Sequence, residues 1–305
     1  MLERKRKKSA FDWTFDGINT VILGLFVFLC VYPFYFILIN SISNPALAAR
    51  GINITILPRE ITLRNFVEIF KQPNLAHAGW ISLARTVSGT ALTVAASSFF
   101  GYLMTKQEMY FRRTIYRLLV VTMYFSPGLI PFYLMIRSYG MLNTFWVYLL
   151  PYTLSAYYVI LCKTFIEQMP QSLEESAMLD GAGTLRIFAR IIFPLSLPIV
   201  ATIAVFAAVA QWNSWFDNYL YARNANLKTL QLTLRELLTQ AEQIANRARS
   251  GGGGQMASMS DSANEITPMA IRMTITTVVT LPILFVYPFM QRFFIKGIML
   301  GAIKG

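Results

Sequence analysis

Residues 171–198 read QSLEESAMLDGAGTLRIFARIIFPLSLP, a polar stretch between two strongly apolar runs. Pro170 stops whatever precedes it. Ser172 and Glu175 form an S-x-x-E pattern, in which side-chain oxygens would satisfy the free N–H groups opening a short helix. Asp180-Gly181-Ala182-Gly183 breaks that helix, because glycine takes the positive φ of a tight turn without a steric penalty. Thr184 is placed to cap a second helix. Its Leu185, Phe188 and Ile192 fall on one face, while Arg186 and Arg190 share another. Pro194 and Pro198 mark the entry into the next apolar run. The stretch therefore predicts a helix-turn-helix. Pattern alone leaves it open as a connector or as a docking element.

The flanking chain decides which solvent that element meets. Of 305 residues, 55% are hydrophobic and 14% charged, with a mean hydropathy of +0.48. Soluble domains carry about 25% charged residues, so an all-α integral membrane protein is expected. The net charge of +12 does not point to nucleic acid, because the basic residues form no single stripe. They collect at the ends of apolar runs, where positive charge sets topology. Cys30 and Cys162 both lie in apolar runs, and the single histidine, His77, has no cluster of acids or thiols beside it. Neither a disulfide framework nor a metal site is expected.

Six apolar segments are long enough to span a bilayer, at about 18–42, 79–104, 118–136, 145–165, 195–216 and 269–290. The first exceeds the roughly 7–15 residues of a signal-peptide core, so it reads as a retained span. The second is rich in Ala, Ser, Thr and Gly, which suits close helix packing. Lys and Arg concentrate in the 1–17 arm, in the loop after span two (Lys106, Arg112, Arg113, Arg117), after span four (Lys163, Arg186, Arg190) and in the tail. On the positive-inside rule both termini and the loop 170–194 are cytoplasmic, with a tail at 295–305, and 217–268 is extracytoplasmic. Residues 227–248 have helical spacing, and Gly251, Gly252, Gly253 and Gly254 form a flexible hinge. That segment reads as a spacer or as a contact for a soluble partner.

The six spans contain no Asp or Glu, whereas ion-driven transporters keep carboxylates in the membrane. Arg85 is the single ionisable residue well inside one. It either lines a polar pathway or, the preferred reading, snorkels to the outer surface. Gln211, Trp212, Asn213, Trp215 and Phe216 close span five. An interfacial aromatic belt is preferred there over a sugar-stacking path. No phosphate-binding loop, nucleophile elbow or zinc-protease motif occurs, so hydrolysis is not expected of this chain. Energy for transport would come from another subunit, through a structured cytoplasmic loop. A stand-alone secondary transporter or channel is the alternative.

The loop then resembles a known pattern. Membrane subunits of ATP-binding cassette (ABC) importers carry Glu-Ala-Ala, three residues, Gly, nine residues, Ile, one residue and Leu-Pro. This chain has Glu175-Ser176-Ala177, Gly181, Ile191 and Phe193-Pro194 at that spacing. Leu179-Asp180-Gly181-Ala182 resembles the carbohydrate-importer version. The ending from Gln291-Arg292 to Lys304-Gly305 is similar to maltose-type second permeases, most of all those for aldouronate and other polysaccharide fragments. The resemblance implies a type I importer fold of six transmembrane helices in a bacterial cytoplasmic membrane, multi-pass. It also implies a second homologous permease, two ATPase subunits that hold ATP and Mg, an extracytoplasmic solute-binding protein and a sugar substrate. This chain would bind no cofactor itself. By the same resemblance Glu175, Ser176, Ala177, Asp180, Gly181, Leu185, Phe188 and Pro194 would couple to the ATPase. Glu175 would bond a basic group and Leu185 and Phe188 would fill its groove. Lys304 and Gly305 would reach the ATPase pair, and Gly251–Gly254 would meet the binding protein.

Overall fold

The computed structural model describes residues 10–45, 56–58, 60–250 and 268–301. Those residues are helical apart from turns and one isolated antiparallel bridge, Ser43 to Ile61. The chain divides into two compact units, one of residues 1–71 with 238–278, the other of residues 72–237 with 279–305.

The first unit holds α1 (Ala10–Ser41), with Pro33 inside it, and α2 (Arg64–Phe70). The buried side chain of Asn65 donates to the carbonyls of Ser41 and Ser43 at 2.9 and 3.0 Å. It thereby satisfies the last carbonyl of α1, which has no helical partner, and one two residues beyond the helix.

The second unit is built on α3 (Leu75–Leu103). Its buried residues Ala78, Ser82, Arg85, Gly89, Thr93, Ser97 and Gly101 recur every three or four positions, a stripe of small side chains with one arginine in it. Such a stripe lets backbones approach closely. Past α4 (Arg112–Tyr124) and α5 (Leu129–Ser138) the chain makes two 3₁₀ turns, Phe145–Tyr148 and Leu150–Tyr152, and enters α6 (Ala156–Ile166). The helix-turn-helix follows as α7 (Ser172–Leu179) and α8 (Thr184–Leu195). Next come α9 (Leu197–Asn213), α10 (Phe216–Tyr221), α11 (Leu230–Ser250) and α12 (Pro268–Gly301). Helices α6 and α9 pack on α3. A Cβ on Gly101 would lie 2.5 Å from the Cβ of Cys162 in α6, and one on Gly89 would lie 2.7 Å from Nε2 of Gln211 in α9. Only glycine permits either approach.

Three expected spans are not single straight helices. Segment 118–136 is divided between α4 and α5. Pro127 drives the preceding backbone out of the helical region, Phe125 is extended, and Gly128 takes φ +77°. Segment 145–165 starts as the two 3₁₀ turns around Pro151 and bends by 47° into α6. At Ser196 the chain bends by 81° between α8 and α9. Among the described residues, length and composition qualify Phe11–Ser41 as a membrane-crossing helix, and each bent pair qualifies if taken as one span. The serines, threonines and glycines that let α3 pack are what lower its hydropathy.

Candidate functional site

Two places bring the expected residues together. The first is the loop of α7 and α8. Gly181 takes φ +74°, its N–H donates to the Met178 carbonyl at 3.0 Å, and the Ala182 N–H donates to the Ala177 carbonyl at 3.0 Å. These two hydrogen bonds close α7 in a Schellman motif, which needs a left-handed residue at that position.

The caps differ from the sequence expectation. Helix α7 begins one residue early, with Gln171 as its cap and Ser172 already inside. No side-chain cap forms, so Ser172 and Glu175 make no capping box. Gly183, not Thr184, caps α8, and again through the backbone. Residue Glu174, next to the expected partner, reaches Lys106, whose ammonium also lies 4.4 Å from the Tyr102 ring centroid.

A π-helical turn, Phe188–Ile192, interrupts α8. It is the reason that Leu185, Phe188 and Ile192 do not share a face. The wider turn places Ile187 and Ile192, five residues apart, in one core with Tyr102, Ile166 and Ala177. Leu185 is left 68% exposed. Phe188 turns inward, stacked on Tyr102 at 5.4 Å and edge-on to Phe99 at 5.2 Å. Its side chain is therefore partly buried against the chain's own core. Ala177 is buried as well. Glu175, Ser176, Asp180, Gly181, Leu185 and Pro194 stay on the outside, together with Leu179, which is 89% exposed.

The second place is Arg85. It does not snorkel. It is 1% exposed and forms an ion pair with Asp217, also buried, at 2.6 Å. Its Nη1 donates to Asp217 at 3.2 Å and to the Ser214 carbonyl at 3.4 Å, while Nε and Nη2 both donate to Oε1 of Gln211, at 3.1 and 2.9 Å. All five guanidinium N–H groups are thus engaged. The guanidinium carbon stands 4.4 Å from the Tyr148 ring centroid. Gln211 in turn donates to the Tyr148 carbonyl at 3.1 Å.

Asp217 also accepts from Ser214 Oγ at 2.9 Å and from the Asn218 N–H at 2.8 Å. Asn218 Oδ1 accepts from the N–H and the hydroxyl of Thr229, at 2.7 and 3.0 Å. The Leu230 N–H donates to Ser82 Oγ at 2.8 Å, and the Tyr148 hydroxyl donates to the Leu227 carbonyl at 2.7 Å. Residues 217–230 are therefore strapped to α3 and the first 3₁₀ turn. Asp217 lies one residue past the expected end of span five, outside the segment whose charges the sequence singles out. The signal in the sequence is Arg85 itself, a single charge inside an apolar segment, since such a charge requires a carboxylate once it is buried.

A cavity of ≈ 470 Å³ opens beside this centre, bordered by Arg85, Gln211, Tyr152, Ser155 and Tyr158 among others. The remaining residues of the span-five cluster do not border it. Trp212 Nε1 donates to the Val279 carbonyl at 3.1 Å, the Trp215 ring carries the Arg235 guanidinium at 3.7 Å, and Asn213 is exposed. Gly251–Gly254 and Lys304–Gly305 lie outside the described residues.

Residues 97–300 match the family described as binding-protein-dependent transport system inner membrane component. The chain is similar to Protein LplC of Bacillus subtilis (strain 168), 34% identical over 292 residues and 95% of each chain. It is equally similar to the polygalacturonan/rhamnogalacturonan transport system permease protein YtcP of the same organism, 34% identical over 95% of this chain and 98% of that one. Among solved structures it resembles a chain of a bacterial ABC transporter involved in the import of the acidic polysaccharide alginate. That match has a TM-score of 0.81 and 25% identity, and covers 95% of this chain and 100% of the other.

Proposed function

The chain belongs to the binding-protein-dependent transport system inner membrane component family, and from that membership we propose that it is the permease subunit of an ATP-driven sugar importer. Its cargo is an oligosaccharide or polysaccharide fragment delivered by an extracytoplasmic binding protein. The observation that carries this reading is similarity over nearly the whole chain to a permease named for polygalacturonan and rhamnogalacturonan transport. The chain crosses a bacterial cytoplasmic membrane six times with both termini inside. It pairs with a second, homologous permease. Two ATPase subunits, which hold ATP and Mg, dock beneath the pair.

The α7–α8 element is the coupling loop. A protein surface exposing Leu179 and Leu185 beside Glu175 and Asp180 suits a partner with an apolar groove and a basic rim. The Lys106–Glu174 pair and the Tyr102–Phe188 stack tie that surface to the end of α3, so a push on the loop is transmitted to the helix that carries Arg85. Glu175→Lys with Gly181→Asp, expressed with the whole transporter, is expected to abolish sugar uptake while the permease pair still assembles. Undiminished uptake by that double variant would exclude the coupling assignment. Uptake by this chain alone in vesicles would instead identify a stand-alone transporter.

A further inference from the structure

The cavity at the Arg85 centre has a use that the coupling loop does not explain. It is ≈ 470 Å³, within the range of roughly 300–1,000 Å³ typical of small-ligand sites. Two of its lining residues are buried polar groups, Arg85 at 1% and Gln211 at 5% exposure. Arg85 has no donor left for a ligand, since all five N–H groups are taken and its charge is balanced by Asp217. The pair instead fixes Gln211. Two bonds hold its oxygen, and one amide hydrogen is donated to the Tyr148 carbonyl. Its second amide hydrogen has no acceptor among the described residues. Tyr152, Ser155 and Tyr158 line the same cavity.

We infer that this cavity is a saccharide subsite carried by this chain itself, which reads the C–H face and hydroxyls of a pyranose ring and not a carboxylate. The inference rests on the importer reading above. Tyr152 and Tyr158 stack on the ring, Gln211 donates to a hydroxyl, and Arg85 with Asp217 are positioning residues. A uronate's carboxylate would meet a guanidinium already neutralised, so acidic and neutral fragments are accepted alike.

The test uses the complete permease–ATPase complex in lipid nanodiscs without its binding protein, probed by saturation-transfer NMR. The probes are trigalacturonate and galactotriose. Saturation of ring protons is expected in both, with equal affinity. Tyr158→Ala is expected to weaken both about three- to tenfold, the equivalent of one lost aromatic contact, and Tyr158→Phe to leave them unchanged. Gln211→Ala should weaken both, while the loop variant Glu175→Lys, Gly181→Asp should leave binding intact. The inference is overturned by transfer to neither probe, by transfer confined to trigalacturonate, or by affinities that Tyr158→Ala does not change. If the same complex, supplied with its binding protein and ATP in vesicles, still imports sugar, such a result removes the subsite and leaves the importer reading standing. A complex so supplied that imports no sugar removes the reading itself.

Discussion

Asp217→Asn isolates the charge of the buried pair while keeping the shape of the side chain. In the native protein Asp217 receives Arg85 at 2.6 and 3.2 Å, Ser214 Oγ at 2.9 Å and the Asn218 N–H at 2.8 Å. The asparagine retains one carbonyl acceptor but leaves Arg85, 1% exposed, without a counter-charge. Removing one member of a buried ion pair costs about 3–5 kcal/mol. Arg85→Met, which strands the carboxylate, is expected to cost a similar amount. Arg85→Met with Asp217→Asn removes both charges and keeps an Oδ1 acceptor for Ser214 Oγ and the Asn218 N–H, and what remains is Gln211 and the Ser214 carbonyl without their donors, a penalty of about 1–3 kcal/mol. The double variant is therefore expected to be more stable than either single one. Unfolding in mixed micelles by rising SDS fraction, followed by tryptophan fluorescence, measures all three. The reasoning is refuted if Asp217→Asn falls within about 0.5 kcal/mol of the native protein, the range of an ordinary surface change. It is equally refuted if the two single penalties simply add in the double variant.

Other positions give sharper local tests by the same unfolding measurement. Gly101→Ala would place a Cβ 2.5 Å from that of Cys162 and 3.1 Å from backbone atoms of α6, and overpacking of this kind costs about 1–3 kcal/mol. Gly181→Ala forces a side chain to φ +74° at about 1–2 kcal/mol. Gly183→Ala, at φ −76°, is expected to be neutral and serves as the control. Asn218→Ala removes the acceptor for Thr229 and is expected to cost about 1–3 kcal/mol. Hydrogen exchange should then speed up at the Thr229 and Leu230 amides. Unchanged exchange there would mean that the 217–230 strap is held by other contacts.

The sequence by itself determined a membrane protein of helices, through its low charge and long apolar runs, and it pointed to the importer family through the spacing of Glu175, Gly181 and Pro194. It also located the Gly181 turn, because a left-handed cap is a local requirement that glycine answers within the residues it joins. The broken helices at Pro127-Gly128 and Pro151 were visible as residues, and the breaks themselves appeared only in three dimensions. The caps lie one residue before the positions the side-chain pattern predicts, since Gln171 and Gly183 start their helices by backbone geometry that no side-chain pattern announces. The π turn at Phe188–Ile192 rewrote which face of α8 is apolar, and a regular period of 3.6 cannot foresee an inserted residue.

Arg85 is the clearest case of what tertiary structure alone decided. Its partner Asp217 is 132 residues away, outside any window of helical periodicity. The pair exists because Gly89 lets α9 come close enough for Gln211 to reach across. Burial at that contact turned an arginine expected at the surface into a fixed lining residue of a cavity, and local sequence carries no record of which distant helix will cover a residue.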